Sequence, residues 1–172
     1  MEFEDLNSKG ITVTGASADL TKAFDEIQRE LLYTLLRKGG FPERVLRAYV
    51  NFQENLLVYN AVGQGLGLPY HRPCSIPQGC HLSMVFMAFI MRPWVMKMNH
   101  LGAKPRVLAD DIMVSIAGAG SFDRFVPIFN DTLQYCKDLG ARVAPDKSFT
   151  FSTDKKVRKQ NRTLLGAHRC GA

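Results

Sequence analysis

Apolar residues recur along the chain with two periods, every second residue and every third or fourth residue, which predict strands and helices respectively. A helical pattern runs from Asp25 to Gly39 and Gly40, and a second one opens at Pro42. The elements predicted in chain order are a strand over 11–20, helices over 25–38 and 42–52, strands over 56–59 and 68–74, a helix over 82–100, a hairpin over 107–114, a helix over 121–139, and strands over 141–143 and 148–151. Strands joined by hairpins, with helices on one face, predict an α+β fold around an antiparallel sheet.

The predicted hairpin carries two adjacent acids, Asp110 and Asp111, between two short apolar runs. We expect both acids in its tight turn, where aspartate tolerates a positive φ. An ordinary surface turn with its acids in water is the simple alternative, since aspartate is common in turns. However, the flanking residues are apolar at consecutive positions, so both faces of the hairpin should be partly buried. Carboxylates beside buried apolar surface are unfavourable unless a cation or a basic side chain lies near them.

Composition narrows the class of protein. The chain has 172 residues, of which 46% are hydrophobic, so we expect one compact domain over residues 11–172 rather than a disordered chain. Its net charge of +6 suggests a polyanionic partner, although many basic proteins bind no nucleic acid. The four cysteines form no metal-binding pattern and are expected as reduced thiols. The longest apolar run, 84–91, is too short to span a bilayer, and residues 1–10 predict a frayed leader rather than a signal peptide.

Asp19 is a third acid that can join the pair in the hairpin. It lies at the end of the first predicted strand. If that strand pairs beside the hairpin, Asp19, Asp110 and Asp111 meet at one edge of the sheet. Hard cations such as Mg²⁺ prefer oxygen ligands drawn from more than one segment. Such a cluster could hold two Mg²⁺ ions about 4 Å apart, the arrangement used for in-line phosphoryl transfer.

Three stretches, taken together, resemble the motifs of a reverse transcriptase palm. Asp19–Asp25 (DLTKAFD) resembles motif A, Ser75–Ser83 (SIPQGCHLS) resembles motif B, and Leu108–Asp111 (LADD) resembles motif C. Their order and separations also fit, and the resemblance covers residues 11–166. The motif sequences are most similar to those of non-LTR (LINE-like) retrotransposon enzymes, with group II intron enzymes next. The resemblance implies a ferredoxin-like antiparallel sheet with helices packed on one face, and an RNA-directed DNA polymerase.

The resemblance assigns metal-binding roles by position. Asp19 and Asp110 would be the principal ligands of two Mg²⁺ ions, for which Mn²⁺ could substitute. Asp111 would be a supporting ligand, and the Leu20 carbonyl would complete one ion's coordination. The implied partners are an RNA template, a DNA primer and a dNTP, with no membrane. They place the protein inside the cell, in the cytoplasm or the nucleus, and the sequence leaves the oligomeric state open.

Four further positions take nucleotide-binding or catalytic roles from the resemblance. Phe24 would lie against the sugar of the incoming nucleotide and exclude a 2′-hydroxyl, although simple core packing is an alternative for this ring. Gln78 and Gly79 would lie against the nascent base pair and the template. Lys147 resembles the motif D lysine, which would donate a proton to the leaving pyrophosphate, and a lysine in solvent is the alternative. Residues 164–166 resemble the start of motif E.

The chain also departs from the family pattern. His81 stands where motif B usually has proline, and Leu108 where motif C usually has tyrosine or phenylalanine. Fingers, thumb, endonuclease and RNase H segments have no counterpart, so we expect an isolated palm with weak or no processive activity. Two rival interpretations stay open. One is a decayed or domesticated retroelement fragment that binds nucleic acid without catalysis; the other is an RNA-dependent RNA polymerase palm, which Phe24 makes less favourable.

Overall fold

The computed structural model describes residues 2–77 and 79–161. Its elements, in chain order, are α1 (Glu2–Ser8), β1 (Val13–Thr21), α2 (Ala23–Glu26), α3 (Arg29–Lys38), α4 (Glu43–Asn55), β2 (Ala61–Val62), β3 (Gly65–Leu66), α5 (Ser83–His100), β4 (Lys104–Leu108), β5 (Asp111–Ala117), α6 (Ser121–Asp138), β6 (Arg142–Val143) and β7 (Phe149–Ser152). The chain forms two compact units. The first comprises the described parts of Met1–Ala23 and Met91–Ala172, and the second comprises the described part of Phe24–Ile90.

The division into two units differs from the single domain expected over residues 11–172. The boundaries fall inside α2, between Ala23 and Phe24, and inside α5, between Ile90 and Met91. Because the chain passes between the units within helices, no linker rich in glycine, proline or serine marks either boundary in the sequence.

The first unit is built on one antiparallel sheet. Its strands lie in the order β4, β5, β1, β6, and β7 pairs with β1 on the same side as β6. Helix α6 packs against β1 and β5. With α5 as the first crossover, the order β1, α5, β4, β5, α6 and then β6 with β7 is the ferredoxin-like βαββαβ order. The predicted α+β fold with an antiparallel sheet is therefore confirmed.

The core of the first unit lies between the sheet and α6. Strand β5 buries Ile112, Val114 and Ile116, and α6 buries Phe125 and Ile128. The helix places these residues inward because its apolar side chains recur every three or four positions. Apolar burial of this kind is the main favourable term in folding.

Gly15 in the middle of β1 is required by close packing. A Cβ atom at this position would lie 2.6 Å from the Phe151 ring and 2.7 Å from the Val114 carbonyl oxygen. Both distances are shorter than real Cβ contacts allow, so only glycine lets β5 and β7 flank the strand at this level. The pairing of β1 with β5 and β7 thus depends on a residue without a side chain.

Helix α1 occupies most of the segment expected as a frayed leader, residues 1–10. Residues 2–8 form helix α1, which contacts β1. Directly after the helix, the Lys9 ammonium lies 2.9 Å from the carboxylate of Asp5, four residues earlier. Ion pairs with this spacing stabilise short helices by a few tenths of a kcal/mol. The polar composition of the segment alone does not reveal this contribution.

The second unit is a helical pair with an aromatic core. Leu32 and Leu36 of α3 and Leu46 of α4 are fully buried. The Tyr49 ring lies edge-on to the Phe86 ring, with centroids 4.7 Å apart. The amphipathic helices predicted over residues 25–38 and 42–52 supply these side chains.

The first of those helices is interrupted, which the sequence pattern did not predict. It divides into α2 and α3 around Ile27 and Gln28. The Ile27 carbonyl accepts a hydrogen bond from the Ser75 N–H at 2.9 Å, and Gln28 forms an isolated bridge with Cys74. The backbone at the break is thus paired with the 74–76 segment instead of with the helix.

The two strands predicted around the glycine-rich turn are displaced. Residues 56–59 and 68–74 contain only isolated bridges, including Val58 with Tyr70. The regular strands are the short β2 and β3, which flank the turn at Gly63 and Gln64. Pro69 and Pro73 lack a backbone N–H and cannot continue a ladder, which accounts for the irregular second arm.

Helix α5 is less buried than its all-round apolar sequence predicted. Phe86 and Trp94 are buried, whereas Met84 and Met96 are 50% and 61% exposed. The prediction of burial on several sides is therefore wrong for one face of the helix. Among the described residues, no helix is long and apolar enough to cross a membrane.

Candidate functional site

Two of the three predicted acids face each other across adjacent strands. Asp19, near the end of β1, is directly opposite Asp111, the first residue of β5. In an antiparallel ladder, directly opposite residues project their side chains to the same face. The strand pairing therefore brings motif A and motif C together, as expected if they share one site.

The backbone hydrogen bonds of Asp19 define the kind of pair it forms with Asp111. Its N–H donates to the Ser148 hydroxyl at 3.2 Å, and its carbonyl accepts from the Ala144 N–H at 2.9 Å. Both groups point away from β5, toward the turn that joins β6 and β7. Asp19 and Asp111 are consequently a non-hydrogen-bonded pair, the closer of the two antiparallel types, with Cα atoms about 4.5 Å apart.

The turn between β4 and β5 carries one acid, not two. Leu108 pairs with Asp111, so only Ala109 and Asp110 form the turn, and Asp111 belongs to the strand. The expectation that both acids lie in the turn is wrong for Asp111. The positive φ, +56°, also falls on Ala109 rather than on an aspartate. For an L-residue with a Cβ atom this conformation costs about 1–2 kcal/mol, so the turn is mildly strained beside the acids.

Burial on the hairpin is uneven. Ile112 and Val114 of β5 are buried, whereas alternate residues of β4 are exposed, and Leu108 is 71% exposed. The prediction that both faces are partly buried holds for β5 but not for the edge strand β4. The acids follow the same gradient: Asp19 and Asp110 are half-buried and Asp111 is exposed.

Lys147 lies beside the acids. Its ammonium nitrogen is 3.5 Å from an Asp19 carboxylate oxygen, Oδ2. The Lys147 side chain is 67% exposed and that of Asp19 only 21%. This lysine is therefore not simply in solvent, although an exposed ion pair of this length contributes little to stability.

The Leu20 carbonyl, predicted to coordinate a metal ion, belongs to the same end of β1. Leu20 pairs with Val143, and its side chain is buried on the face opposite to the Asp19 side chain. Because N–H and C=O groups alternate between the two edges of a strand, the Leu20 carbonyl points to the edge that carries β5. On that edge the pairing with β5 ends at Asp111, and Asp110 lies in the turn directly before it.

The donor set fits a divalent cation in chemistry and register, but the side chains do not converge. In residues 2–77 and 79–161, no three histidine, cysteine, aspartate or glutamate side chains lie close enough together to hold a metal ion. Asp19, Asp110 and Asp111 supply carboxylate oxygens from two segments, as Mg²⁺ requires. Asp111 is exposed, and the Asp19 carboxylate is engaged by Lys147.

Two further predicted residues, Phe24 and Gly79, fall in the second unit. Phe24 is half-buried, and its carbonyl accepts a hydrogen bond from the Ile76 N–H at 2.8 Å. The end of motif A and the start of motif B are thus hydrogen-bonded within this unit. Gly79 has a φ of +81°, and a Cβ atom there would meet nothing within 4 Å. The glycine is required for its conformation rather than for close approach within the chain.

Some expectations lie outside the described residues or add no contact. Gln78 and residues 164–166 fall outside 2–77 and 79–161. His81 is exposed. Cys74, Cys80 and Cys136 are free thiols, as expected from their spacing.

Two residues that anchor Asp19 were missed from the sequence. Ser148 and Ala144 flank the turn Pro145–Lys147 and hold both backbone groups of Asp19. The only available signal was the turn sequence between two short predicted strands, which does not reveal which residue it would contact. The structure therefore adds a short loop that touches Asp19 at its backbone and its carboxylate.

The model of the family described as reverse transcriptase (RNA-dependent DNA polymerase) matches residues 3–168. No curated protein sequence matches the chain.

Three solved structures have a similar fold. They are apo telomerase from Candida tropicalis truncated from its C-terminal domain (TM-score 0.64, 17% identity, 88% of this chain), telomerase from Candida tropicalis in complex with a TWJ fragment of telomeric RNA (0.69, 14%, 89%), and telomerase from Candida albicans in complex with such a fragment (0.61, 13%, 87%). This chain spans only 33%, 28% and 28% of their lengths. At these identities the likeness concerns the fold alone.

Proposed function

Because the chain belongs to the reverse transcriptase (RNA-dependent DNA polymerase) family, we propose that it adds a deoxynucleotide to a primer 3′-hydroxyl, directed by an RNA template. The observation that carries this proposal is the pairing of Asp19 with Asp111 beside Asp110. Three carboxylates drawn from motifs A and C at one end of a sheet are what two-metal nucleotidyl transfer requires.

We propose that Asp19 and Asp110 are the principal ligands of two divalent ions, with Asp111 in support and the Leu20 carbonyl at one position. Bound Mg²⁺, or Mn²⁺ in its place, supplies positive charge that favours the ionised primer hydroxyl and neutralises the triphosphate. Asp19 contributes orientation, because both of its backbone groups are held by the 144–148 loop. A ligand fixed in this way loses little conformational freedom on coordination.

Lys147 is the proposed proton donor to the leaving pyrophosphate. Its ammonium group already lies at the acid site, 3.5 Å from Asp19 Oδ2, on a mostly exposed side chain. A long, flexible side chain anchored at a turn can move from Asp19 to a phosphate oxygen without rearranging the fold. In this role the lysine delivers its proton to the oxygen that leaves the α-phosphorus.

The nucleotide is proposed to contact Phe24, Gln78 and Gly79. Phe24 is set by the hydrogen bond between its carbonyl and the Ile76 N–H, and a ring at this motif position would favour dNTP over NTP. An RNA template and a DNA primer complete the proposed partners. The motif sequences support a non-LTR, LINE-like subtype more strongly than a group II intron type. We place the protein in the cytoplasm or the nucleus, where such templates occur.

A non-catalytic nucleic-acid-binding role is the second candidate. The observation that favours it is that no three of the described acids lie within reach of one ion, while Asp19 is engaged by Lys147. A protein with this role would bind RNA equally well with or without Asp110.

Single-nucleotide addition separates the two candidates. The assay offers one complementary dNTP to a primer annealed to RNA, with excess protein and either Mg²⁺ or Mn²⁺. We expect addition by the unaltered chain, loss of at least 100-fold in Asp110→Ala, and little change in Asp123→Ala, which removes an exposed acid from α6. Equal product from the Asp110→Ala and unaltered chains, or no product from either, would favour the non-catalytic role.

A further inference from the structure

The second unit contains a cavity of about 360 Å³, and Asp19, Asp110 and Asp111 are not among its lining residues. Three charged side chains line it: Asp25, Arg29 and Arg72. Two guanidinium groups and one carboxylate therefore line the same space, and a second carboxylate, that of Glu54, pairs with Arg29 without lining the cavity. Guanidinium groups in a concave site suit an anionic ligand.

Arg29 is the buried charge of this cavity. It exposes only 7% of its surface, and its Nη1 group donates to the Gln53 carbonyl at 2.8 Å. The same Nη1 lies 3.4 Å from a Glu54 carboxylate oxygen, Oε1. The Nε–H group is buried and has no acceptor among the described residues. A buried guanidinium with an unpaired N–H is unfavourable, and an entering acceptor would relieve this.

Arg72 is the more exposed of the two arginines. Its Nη1 lies 3.8 Å from Asp25 Oδ1, and the two side chains are 44% and 35% exposed. An ion pair this long and this exposed holds its partners weakly. Arg72 can therefore turn toward a ligand in the cavity without losing a strong interaction.

The other walls are apolar. Leu56, Val58 and Pro77 line the cavity together with the charged groups. A bare phosphate ion would leave this surface uncovered, and 360 Å³ is larger than such an ion needs. A sugar or a base attached to the phosphate would cover it. Helix α3 also begins at Arg29 with no side chain capping its N-terminus, where a helix favours negative charge.

We propose that this cavity binds a nucleotide, with the phosphate between Arg29 and Arg72 and the sugar or base against Leu56, Val58 and Pro77. In this arrangement a phosphate oxygen would be the acceptor that Arg29 Nε–H lacks, and planar guanidinium groups suit such oxygens. The shared chemistry is a nucleotide phosphate, either within a single strand or in a free nucleotide. The expectation of a strand rests on the proposed function, because a templated polymerase must hold one.

Fluorescence anisotropy with a labelled 12-nucleotide single-stranded RNA tests the inference on the full chain, with AMP as a competitor. Arg72→Gln should weaken RNA binding about five- to tenfold and reduce the slope of log affinity against log salt by about 0.7, the value for one lost phosphate contact on a single strand. Arg44→Gln is the matched control, since Arg44 is an exposed arginine of the same unit on α4 and does not line the cavity. It should change affinity less than twofold. Arg29→Lys retains the charge but removes the planar fork, and should also weaken binding.

The outcomes separate the cavity from general attraction to a basic protein. Loss of RNA binding in Arg72→Gln but not in Arg44→Gln supports a strand as the ligand, and competition by AMP that needs Arg72 identifies a free nucleotide. Equal binding by all variants, or no binding by the unaltered chain, overturns the inference. Asp110→Ala should keep Arg72-dependent binding. If the nucleotide-addition assay fails while RNA binding still depends on Arg72, the proposed function is refuted and the inference about the cavity is not.

Discussion

Asp19 of β1 lies directly opposite Asp111 of β5, at the last position where these two strands pair. Asp110 lies in the turn between β4 and β5, directly before Asp111. Lys147 lies in the loop on the other side of β1. The acids therefore meet through strand register, while the lysine arrives from a separate segment.

Removal of Lys147 should strengthen divalent metal binding. A cation at Asp19 must replace the ammonium group that lies 3.5 Å from the carboxylate. Because the pair is mostly exposed and screened, we expect Lys147→Gln to raise Mn²⁺ affinity by about two- to fivefold. Electron paramagnetic resonance of free Mn²⁺ measures this. Lys155→Gln removes an exposed lysine of the same unit, and an equal gain in that variant would refute a specific role for Lys147.

Ser148 should act through the position of Asp19. Its hydroxyl accepts the Asp19 N–H, so Ser148→Ala leaves a half-buried donor without its partner. We expect the free energy of unfolding to fall by about 1 kcal/mol, measured by urea denaturation. Ser148→Thr keeps the hydroxyl and should recover most of the loss. A threonine variant as unstable as the alanine variant would mean that the hydrogen bond is unimportant.

Ala109→Gly should stabilise the protein even though it removes a methyl group. The φ of +56° at Ala109 is strained for alanine and free for glycine. We expect a gain of up to about 1 kcal/mol in the free energy of unfolding. At Ala88, exposed within α5, the same change should instead cost about 1 kcal/mol, because glycine is a poor helix former. Thermal unfolding of the two variants measures the contrast, and a shift in the same direction for both would contradict it.

Stability should fall in alkaline solution because of Cys136. Burial raises the pKa of the Cys136 thiol from 9.0 to about 11. Between these values the unfolded chain releases a proton that the folded chain retains. The stabilisation is therefore complete below pH 9 and is lost as the pH rises through 11. Urea denaturation at pH 8, 9 and 10 should give a decreasing free energy of unfolding. The decrease should be smaller in Cys136→Ala than in Cys74→Ala, in which the half-buried Cys74 is removed instead; equal slopes would exclude Cys136 as the cause.

The sequence predicted the elements of the acid site better than their connections. Strand β1 and the acidic hairpin could be predicted from the local alternation of apolar and polar residues, from the turn preferences of glycine and aspartate, and from the motif sequences. Register does not, because it depends on cross-strand packing such as the contact between Gly15 and Phe151. The assignment of Asp111 to the turn failed for this reason: because Leu108 pairs with Asp111, the two turn residues are Ala109 and Asp110 instead of Asp110 and Asp111.

Tertiary hydrogen bonds explain the errors in the second unit. The periodic apolar residues after Asp25 predict one helix, but the Ile27 carbonyl pairs with the Ser75 N–H and divides it. No pattern within residues 25–38 indicates a partner almost 50 positions away. This hydrogen bond connects the segment directly after motif A with the start of motif B. The break in the helix, which helix propensity could not predict, therefore occurs where the two motifs are joined.

Paramagnetic broadening by Mn²⁺ in an amide NMR spectrum tests the central claim, that motifs A and C form one divalent metal site, most directly. At the lowest Mn²⁺ concentrations, signals from residues 18–20 and 109–112 should broaden together, because β1 and β5 pair at these positions. The broadening of both segments should disappear in Asp19→Asn. Broadening that starts at other acids, or that persists around residues 109–112 in Asp19→Asn, would contradict the shared site.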